Sequence, residues 1–287
     1  MLQHKRLPDW LRRTISISSA EKTHEVLDRL RLNTVCESAL CPNRNECYSH
    51  GTATFMILGN TCTRSCSFCA IDAGKPETVQ SDEPDRVAFA AKEMGLEYVV
   101  ITSVARDDLE DEGAGHFART VSAVKEIIPG IQVEVLTPDF HARPELLQLV
   151  VDAKPAVYNH NLESVQKFQK QIRPQASYER SLLVLKTVKH LDRGMITKSG
   201  LMLGLGETLE EVRSAAGDLR SAGCDILTLG QYLPPGKDFM PAKEFIHPEV
   251  FQSLADEFRQ LGFLEVFAGP YVRSSYHAGE TYFNARA

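Results

Sequence analysis

Six of the seven cysteines lie between positions 36 and 69, and their spacing divides them into two triads. The second, Cys62-Thr-Arg-Ser-Cys66-Ser-Phe-Cys69, is spaced C-x3-C-x2-C. Three clustered thiolates can hold an iron–sulfur cluster and leave one iron without a protein ligand, since complete protein ligation takes four. An iron left open in this way is where a substrate can coordinate. The plainer readings are a zinc knuckle lacking its fourth ligand, or buried free thiols. The first triad, Cys36, Cys41 and Cys47, is spaced C-x4-C-x5-C. A structural zinc site is its simplest reading, but no C-x2-C pair or histidine partner lies nearby. Cys224 is the only thiol left to complete a set of four. A disulfide scaffold is not expected: the count is odd, the chain is long, and Met1–Arg6 begins no apolar signal segment.

A chain of 287 residues with 43% hydrophobic and 24% charged residues can bury a sizeable core. The net charge of −6 argues against gripping nucleic acid by charge, and no apolar run nears the roughly 18 residues of a membrane span. The expectation is a cytoplasmic protein with no nucleic-acid or membrane partner.

The elements that must position the cysteines alternate in type. Strands are expected at 54–58, 98–103, 132–136, 157–161, 199–203 and 226–229, and amphipathic helices at 84–94, 115–128, 144–153, 178–191 and 209–222. Asp82 and Thr208 stand as N-caps, and Gly95, Gly130, Gly194 and Gly223 where helices should stop. A closing helix at 247–261 and a strand at 264–268 follow. Alternating βα units imply a parallel sheet with helices outside. Eight units would need roughly 275 residues, more than follow position 53, whereas six and a final strand fit. The expected fold is α/β, a partial parallel (β/α)6 barrel over 54–262. An N-terminal cysteine-rich extension spans 1–53, and a C-terminal strand and tail span 263–287. An open doubly wound sheet is the alternative. In either, the loop bearing the second triad follows the first strand and faces the functional end of the sheet.

C-x3-C-x2-C with Phe68 before its last cysteine resembles the radical S-adenosylmethionine superfamily. The resemblance implies a [4Fe–4S] cluster at Cys62, Cys66 and Cys69 whose open iron takes S-adenosylmethionine, giving an adenosyl radical that abstracts hydrogen from unactivated carbon. A narrower resemblance, to the lipoyl synthase family, runs along nearly the whole chain. It begins at Lys5-Arg6-Leu7-Pro8-Asp9-Trp10-Leu11, and Cys41-Pro-Asn-Arg-Asn-Glu-Cys47 with Gly51-Thr-Ala-Thr-Phe55 is similar to that family's auxiliary-cluster motif. Arg273-Ser274-Ser275-Tyr276-His277-Ala278 is similar to its RSSYxA motif. This implies a second [4Fe–4S] cluster on Cys36, Cys41, Cys47 and a serine oxygen, a role assigned to Ser275 with Ser274 adjacent. A hard oxygen ligand leaves iron more readily than a thiolate does, which suits a cluster that gives up sulfide.

Other segments follow in family order. Thr102-Ser103-Val-Ala-Arg106-Asp107-Asp108-Leu resembles TSVxRDDL, but Asp111-Glu112-Gly113-Ala114 stands where the family carries DGGA. Asn159-His160-Asn161-Leu-Glu163 resembles NHNxET, with Ser164 for threonine, and Arg173-Pro174 opens RPxAxYxRSL. The resemblance makes Phe68, Thr102, Ser103, Asn161, Glu163, Arg173 and Gly204 the residues near S-adenosylmethionine. Glu163 and Asn161 suit hydroxyls and an ammonium, Arg173 a carboxylate, and Gly204, in KSGxMxGLGE, close backbone approach. Gly204 and Gly206 lack the third spaced glycine of a dinucleotide fingerprint. After Gly230-Gln-Tyr-Leu-Pro234, residues 237–241 depart from the family's His-Leu-Pro.

The implied activity is a sulfurtransferase that inserts sulfur at C6 and C8 of an octanoyl-lysine on a carrier, either an E2 lipoyl domain or the glycine-cleavage H protein. An electron donor such as a ferredoxin or flavodoxin and an iron–sulfur carrier for cluster rebuilding would serve it. Competing readings are a biotin-synthase-like or methylthiotransferase-like enzyme, the latter disfavoured because no nucleic-acid-binding domain follows the barrel. A ferredoxin-like carrier or zinc module competes from another class. Lys186, Lys189, Arg193 and Lys198 offer either a basic face for an acidic carrier or a solvated helix face. Cys224 is expected as a buried small hydrophobe, Trp10 as packing, and His50, His116 and His277 as ordinary polar residues.

Overall fold

A computed structural model describes residues 6–12, 21–49 and 53–287. Lys5, His50, Gly51 and Thr52, which enter the readings above, lie outside the described residues. Seven parallel strands pair in sequence order: β1 (Thr54–Ile57), β2 (Tyr98–Ser103), β3 (Gln132–Leu136), β4 (Val157–Asn159), β5 (Ile196–Leu203), β6 (Ile226–Gln231) and β7 (Glu265–Gly269). Helices α1 (Glu83–Glu93), α2 (Ala114–Ile127), α3 (Pro144–Asp152), α4 (Tyr178–Leu191), α5 (Leu209–Ser221) and α6 (Pro248–Gln260) connect them. A doubly wound sheet reverses its strand order at a switch point; here the order never reverses. Right-handed crossovers therefore leave every helix on one side, and the sheet curls around its other face. Among the described residues β7 pairs only with β6, so the barrel stays open, and β1 is edged by an antiparallel strand, Asn33–Thr34.

The elements end where backbone chemistry ends them. β1 stops at Ile57, because Leu58 and Gly59 take φ of 70° and 92° and turn the chain out of the sheet. β4 stops at Asn159, two residues short of expectation. The chain rejoins β5 only at Glu163, which bridges Leu201. Thr208 closes a capping box with Glu211 at the start of α5, as its sequence position suggests. Asp82 precedes α1 without capping it by side chain; its carboxylate pairs with Arg86 at 3.1 Å. No helix among the described residues is long and apolar enough to cross a membrane.

β5 begins at Ile196, three residues before the expected start, since polar Thr197 and Lys198 conceal it in the sequence. Lys198 is 1% exposed and points into the barrel, where its ammonium lies 3.1 Å from the equally buried Glu134 of β3. Tyr98 and Asn159 donate to the same carboxylate at 2.7 and 2.8 Å. Lys198 therefore cannot belong to a basic outer face, and Lys189 is held by Asp225. The C-terminal helix Ala278–Arg286 packs beside this network. Tyr282 lies against the Tyr98 ring and donates to Gln132. Trp10 meets the His247 ring edge-on and is 40% exposed, a surface contact rather than core.

Candidate active site

Both cysteine triads open onto one cavity of about 470 Å3 at the carboxyl ends of the strands. Each triad is carried by a distinct local device. In the first, Thr34 accepts from the Glu37 amide and starts the short helix Val35–Ser38, which holds Cys36. Cys41 follows as its amide donates back to the Cys36 carbonyl, and Cys47 lies in the helix Arg44–Ser49. In the second, the chain leaves β1, forms the short strand Thr61–Cys62, loops through Cys66 and Cys69, and returns as Asp72–Ala73 beside it.

The second loop is held at its base by charge. Arg64, 7% exposed, binds the Asp107 carboxylate with two guanidinium nitrogens at 2.5–3.1 Å and Asp139 at 2.9 Å. Arg180 of α4 holds the other Asp139 oxygen at 2.7 Å. The Cys62 sulfur receives two backbone N–H groups, from Arg64 at 3.4 Å and Ala105 at 3.3 Å. Phe68 packs against the buried cluster of Ile172, Leu205, Tyr232 and Ala242, and Met240 of the divergent segment 237–241 packs against the same cluster; the Met240 carbonyl accepts from the Tyr232 hydroxyl at 2.7 Å.

Burial pushes the thiol of Cys36 up to about 11 and those of Cys47 and Cys66 up to about 12; the other thiols of each triad add to the shift. They carry their protons at neutral pH until a metal displaces them. Among the described residues, the one His/Cys/Asp/Glu group whose ligand atoms all lie within 4.8 Å of one another is Asp107, Glu112 and His141. Arg64 and Arg143 already neutralise those carboxylates. Neither triad has its three sulfurs this close together. Three thiols opening onto one cavity are the donor set that an iron–sulfur cluster with an open iron takes. Cys224 stays apart, fully buried, its sulfur on the Ile226 carbonyl.

Between the triads lie the residues expected near S-adenosylmethionine. Thr102, Ser103, Asn161, Glu163 and Arg173 all line the cavity. Ser103 presents a buried hydroxyl with no hydrogen-bond partner, an orphan that a bound polar molecule would satisfy. The Thr102 hydroxyl is spent on the Leu136 carbonyl at 2.9 Å. Burial raises the Glu163 carboxyl, against the pull of Arg173, the Asn161 amide and Arg273. Arg173 is more committed than expected: one nitrogen donates to the Asn161 carbonyl at 3.1 Å and reaches Ser181 at 3.3 Å. Gly204 is not among the residues lining the cavity, and a Cβ there would meet Gln231 Nε2 at 2.3 Å and the Glu244 carbonyl at 2.4 Å. The close approach its missing side chain allows is made by this chain itself.

The C-terminal segment completes the site. Asn43 donates to the Tyr271 carbonyl at 2.7 Å, and the Tyr276 hydroxyl donates to Glu46 at 2.7 Å. Both partners belong to Cys41-Pro-Asn-Arg-Asn-Glu-Cys47, so Arg273, Ser274 and Ser275 are laid beside the first triad between two anchors. Gly230 of β6 makes room for this crossing: a Cβ there would fall 2.0 Å from the Val272 carbonyl oxygen. Sequence reasoning quoted Asn43, Glu46, Arg273 and Tyr276 inside motifs but gave them no role. Arg180 likewise stood inside RPxAxYxRSL without a role, and for Asp139 the sequence carried no signal.

His160, 2% exposed, donates from Nδ1 to the Thr137 carbonyl, and its Nε2 shares a hydrogen bond with the Ser181 hydroxyl. Burial, helped by Arg173, lowers its imidazole to about 4. The unfolded chain takes up the proton near pH 6.5, so stability is lost as pH falls from there toward 4. At pH 5 the loss from this side chain should be about 2 kcal/mol. It should be visible as a lower urea midpoint under anaerobic conditions, and His160→Asn should lack this part of the acid response. Equal losses in both proteins would show that the acid response lies elsewhere.

Residues 56–219 match the family model of the Radical SAM superfamily. The lipoyl synthase of Hahella chejuensis (strain KCTC 2396) is 51% identical over 275 residues, covering 95% of this chain and 83% of that relative. That of Caldicellulosiruptor saccharolyticus (strain ATCC 43494 / DSM 8903 / Tp8T 6331) is 50% identical over 282 residues, covering 98% and 99%. Among solved structures, methylornithine synthase (PylB) aligns with a TM-score of 0.58 at 14% identity, over 95% of this chain and 78% of that one. The [FeFe]-hydrogenase maturase HydG aligns at 0.56 and 12% identity, over 84% and 61%. These two show a shared fold.

Proposed function

The chain belongs to the lipoyl synthase family of the radical SAM superfamily, and from that premise we propose how its residues divide the work. The reaction is the insertion of two sulfur atoms, at C6 and C8, into an octanoyl chain amide-linked to a lysine of a carrier protein. An unactivated methylene has no acidic proton and no leaving group, so acid–base chemistry cannot begin this reaction. When bound, a [4Fe–4S] cluster on Cys62, Cys66 and Cys69 supplies the reducing electron for S-adenosylmethionine, and a second on Cys36, Cys41, Cys47 and Ser275 supplies sulfur.

The single observation that carries this reading is the docking of the segment around Ser275 onto the segment bearing Cys41 and Cys47. Ser275 is favoured over Ser274 because the Ser274 hydroxyl is already donated to Asn161 at 2.9 Å. Glu163 and Asn161 accept from the hydroxyls and ammonium of S-adenosylmethionine, and the unpartnered Ser103 hydroxyl adds a third polar contact. Arg173 contributes positive charge beside Cys66 while holding the end of β4 in place. Val35, Leu40, Leu201, Leu233 and Val272 give the cavity apolar walls, which exclude water and receive an acyl chain. The N-terminal extension 1–53 and the tail 263–287 serve the first triad, and the barrel 54–262 serves the second. The working partners are an octanoylated E2 lipoyl domain or H protein, a ferredoxin or flavodoxin, and an iron–sulfur carrier, all in the cytoplasm.

Anaerobically purified protein should contain about eight irons per chain with matching acid-labile sulfide. Incubation of an octanoylated carrier peptide with reductant and S-adenosylmethionine should add two sulfur atoms to it, read by mass spectrometry. Zinc without sulfide, or an unchanged peptide despite adenosyl-radical formation, would overturn the assignment.

A further inference from the structure

Ser274 and Ser275 are neighbours in sequence and both line the cavity. Ser274 Oγ lies 2.9 Å from Asn161 Oδ1, and Asn161 Nδ2 lies 3.0 Å from Glu163 Oε1. In these bonds the Asn161 NH2 donates to Glu163, and the Asn161 carbonyl accepts from the Ser274 hydroxyl. The result is a one-way chain of donors, from Ser274 through Asn161 to Glu163.

A second observation supports a built arrangement. Gly200 of β5 lies under the Ser274–Asn161 contact. A Cβ there would sit 3.1 Å from both Asn161 Oδ1 and Ser274 Oγ, and 2.7 Å from Thr228 Oγ1. Any side chain at this position would crowd the hydrogen bond. On either side, the segment is fixed by the Arg273 guanidinium, which donates to the Gln231 carbonyl at 3.1 Å, and by the Tyr276 hydroxyl on Glu46. Ser274 is thus the point at which the tail that brings Ser275 to the first triad is tied to the side chains proposed to meet S-adenosylmethionine.

We propose that Ser274 is a positioning residue that couples occupancy of the S-adenosylmethionine site to the seating of Ser275 at the first triad. The proposal rests on the functional assignment above. A ligand that draws Asn161 and Glu163 toward itself pulls on the Ser274 hydroxyl, and through one peptide unit on Ser275. Linkage makes the effect reciprocal: a tail seated on the first triad holds Asn161 ready, and so tightens S-adenosylmethionine. Bonds in series within a buried site polarise one another, so the relay carries more than its separate contacts.

The test uses the protein with both clusters loaded. S-adenosylmethionine affinity is measured by equilibrium dialysis, and the serine-ligated iron is followed by Mössbauer spectroscopy with and without S-adenosylmethionine. In the unaltered chain, the signal of that iron should change when S-adenosylmethionine binds. Ser274→Ala should weaken binding by about three- to tenfold, as for one lost hydrogen bond, and abolish the spectral response. Ser274→Thr, which keeps a hydroxyl, should restore both, and Gly200→Ala should imitate Ser274→Ala. A Ser274→Ala protein that binds and responds like the parent overturns the coupling. Failure of the assignment itself looks different: Ser275→Ala would then leave the iron signal of the ligand-free protein unchanged, which removes the coupling with it.

Discussion

Cys41→Ala is expected to keep reductive cleavage of S-adenosylmethionine while ending formation of the lipoyl product, and Cys66→Ala to end both. The two thiols open onto one cavity but belong to separate local structures, a pair of short helices before β1 and a loop after it. Electrostatic influence follows the same division: Cys66 feels Cys62 and Cys69, while Cys47 feels Cys36 and Cys41. Removing one ligand of a triad should therefore empty its own site and leave its neighbour loaded. The iron content should fall from about eight to about four in either variant. The checks are iron analysis, 5′-deoxyadenosine by chromatography, and product by mass spectrometry. Normal lipoyl yield from Cys41→Ala would remove the first triad from sulfur donation. Loss of cleavage in that variant would mean that the two sites fold as one.

The second large effect concerns the barrel interior. Glu134→Leu should cost on the order of 3–5 kcal/mol, because it strands the buried Lys198 ammonium and also removes the acceptor for Tyr98 and Asn159. Lys198→Met should cost less, since Glu134 keeps two donors. The double variant should be more stable than Glu134→Leu alone, as apolar replacement of a whole buried pair tends toward neutral. Urea unfolding of the three proteins checks this order. If the double variant is as unstable as the sum of the single ones, the pair is not the unit that matters.

The fold was legible because helices and strands of the barrel each carry a periodicity of their own. β2 and β3 begin and end where their apolar runs do, and α4 spans the expected 178–191. Errors fall where tertiary partners override local pattern. Thr197 and Lys198 look unlike strand residues until Asp225 and Glu134 are found opposite them. Glu112 occupies a φ of 49° where the family carries glycine, and a local reading therefore doubts the turn. The doubt is answered from outside the segment, by His141 at 2.8 Å and Arg143 at 3.3 Å on its carboxylate. The cysteines were legible by spacing alone, since the chemistry of a triad is written within a dozen residues. The Arg64–Asp139–Arg180 clamp was not, because its members come from two loops and a helix with no common pattern. Gly204 shows the converse: its motif is recognisable in sequence, but only the structure reveals which atoms use the space.

The hydrogen bond from Tyr276 to Glu46 joins residues 230 positions apart. At a synthesis rate of about 5–20 residues per second, some ten seconds to most of a minute separate the emergence of its two halves. During that interval Cys36, Cys41 and Cys47 exist on the nascent chain without the segment that finishes their surroundings. The loop of Cys62, Cys66 and Cys69 has its anchors Asp107, Asp139 and Arg180 much sooner. The order of assembly is thus inscribed in the order of the sequence: the loop of Cys62, Cys66 and Cys69 can meet its anchors while the ribosome is still at work, and the surroundings of Cys36, Cys41 and Cys47 must wait for the tail.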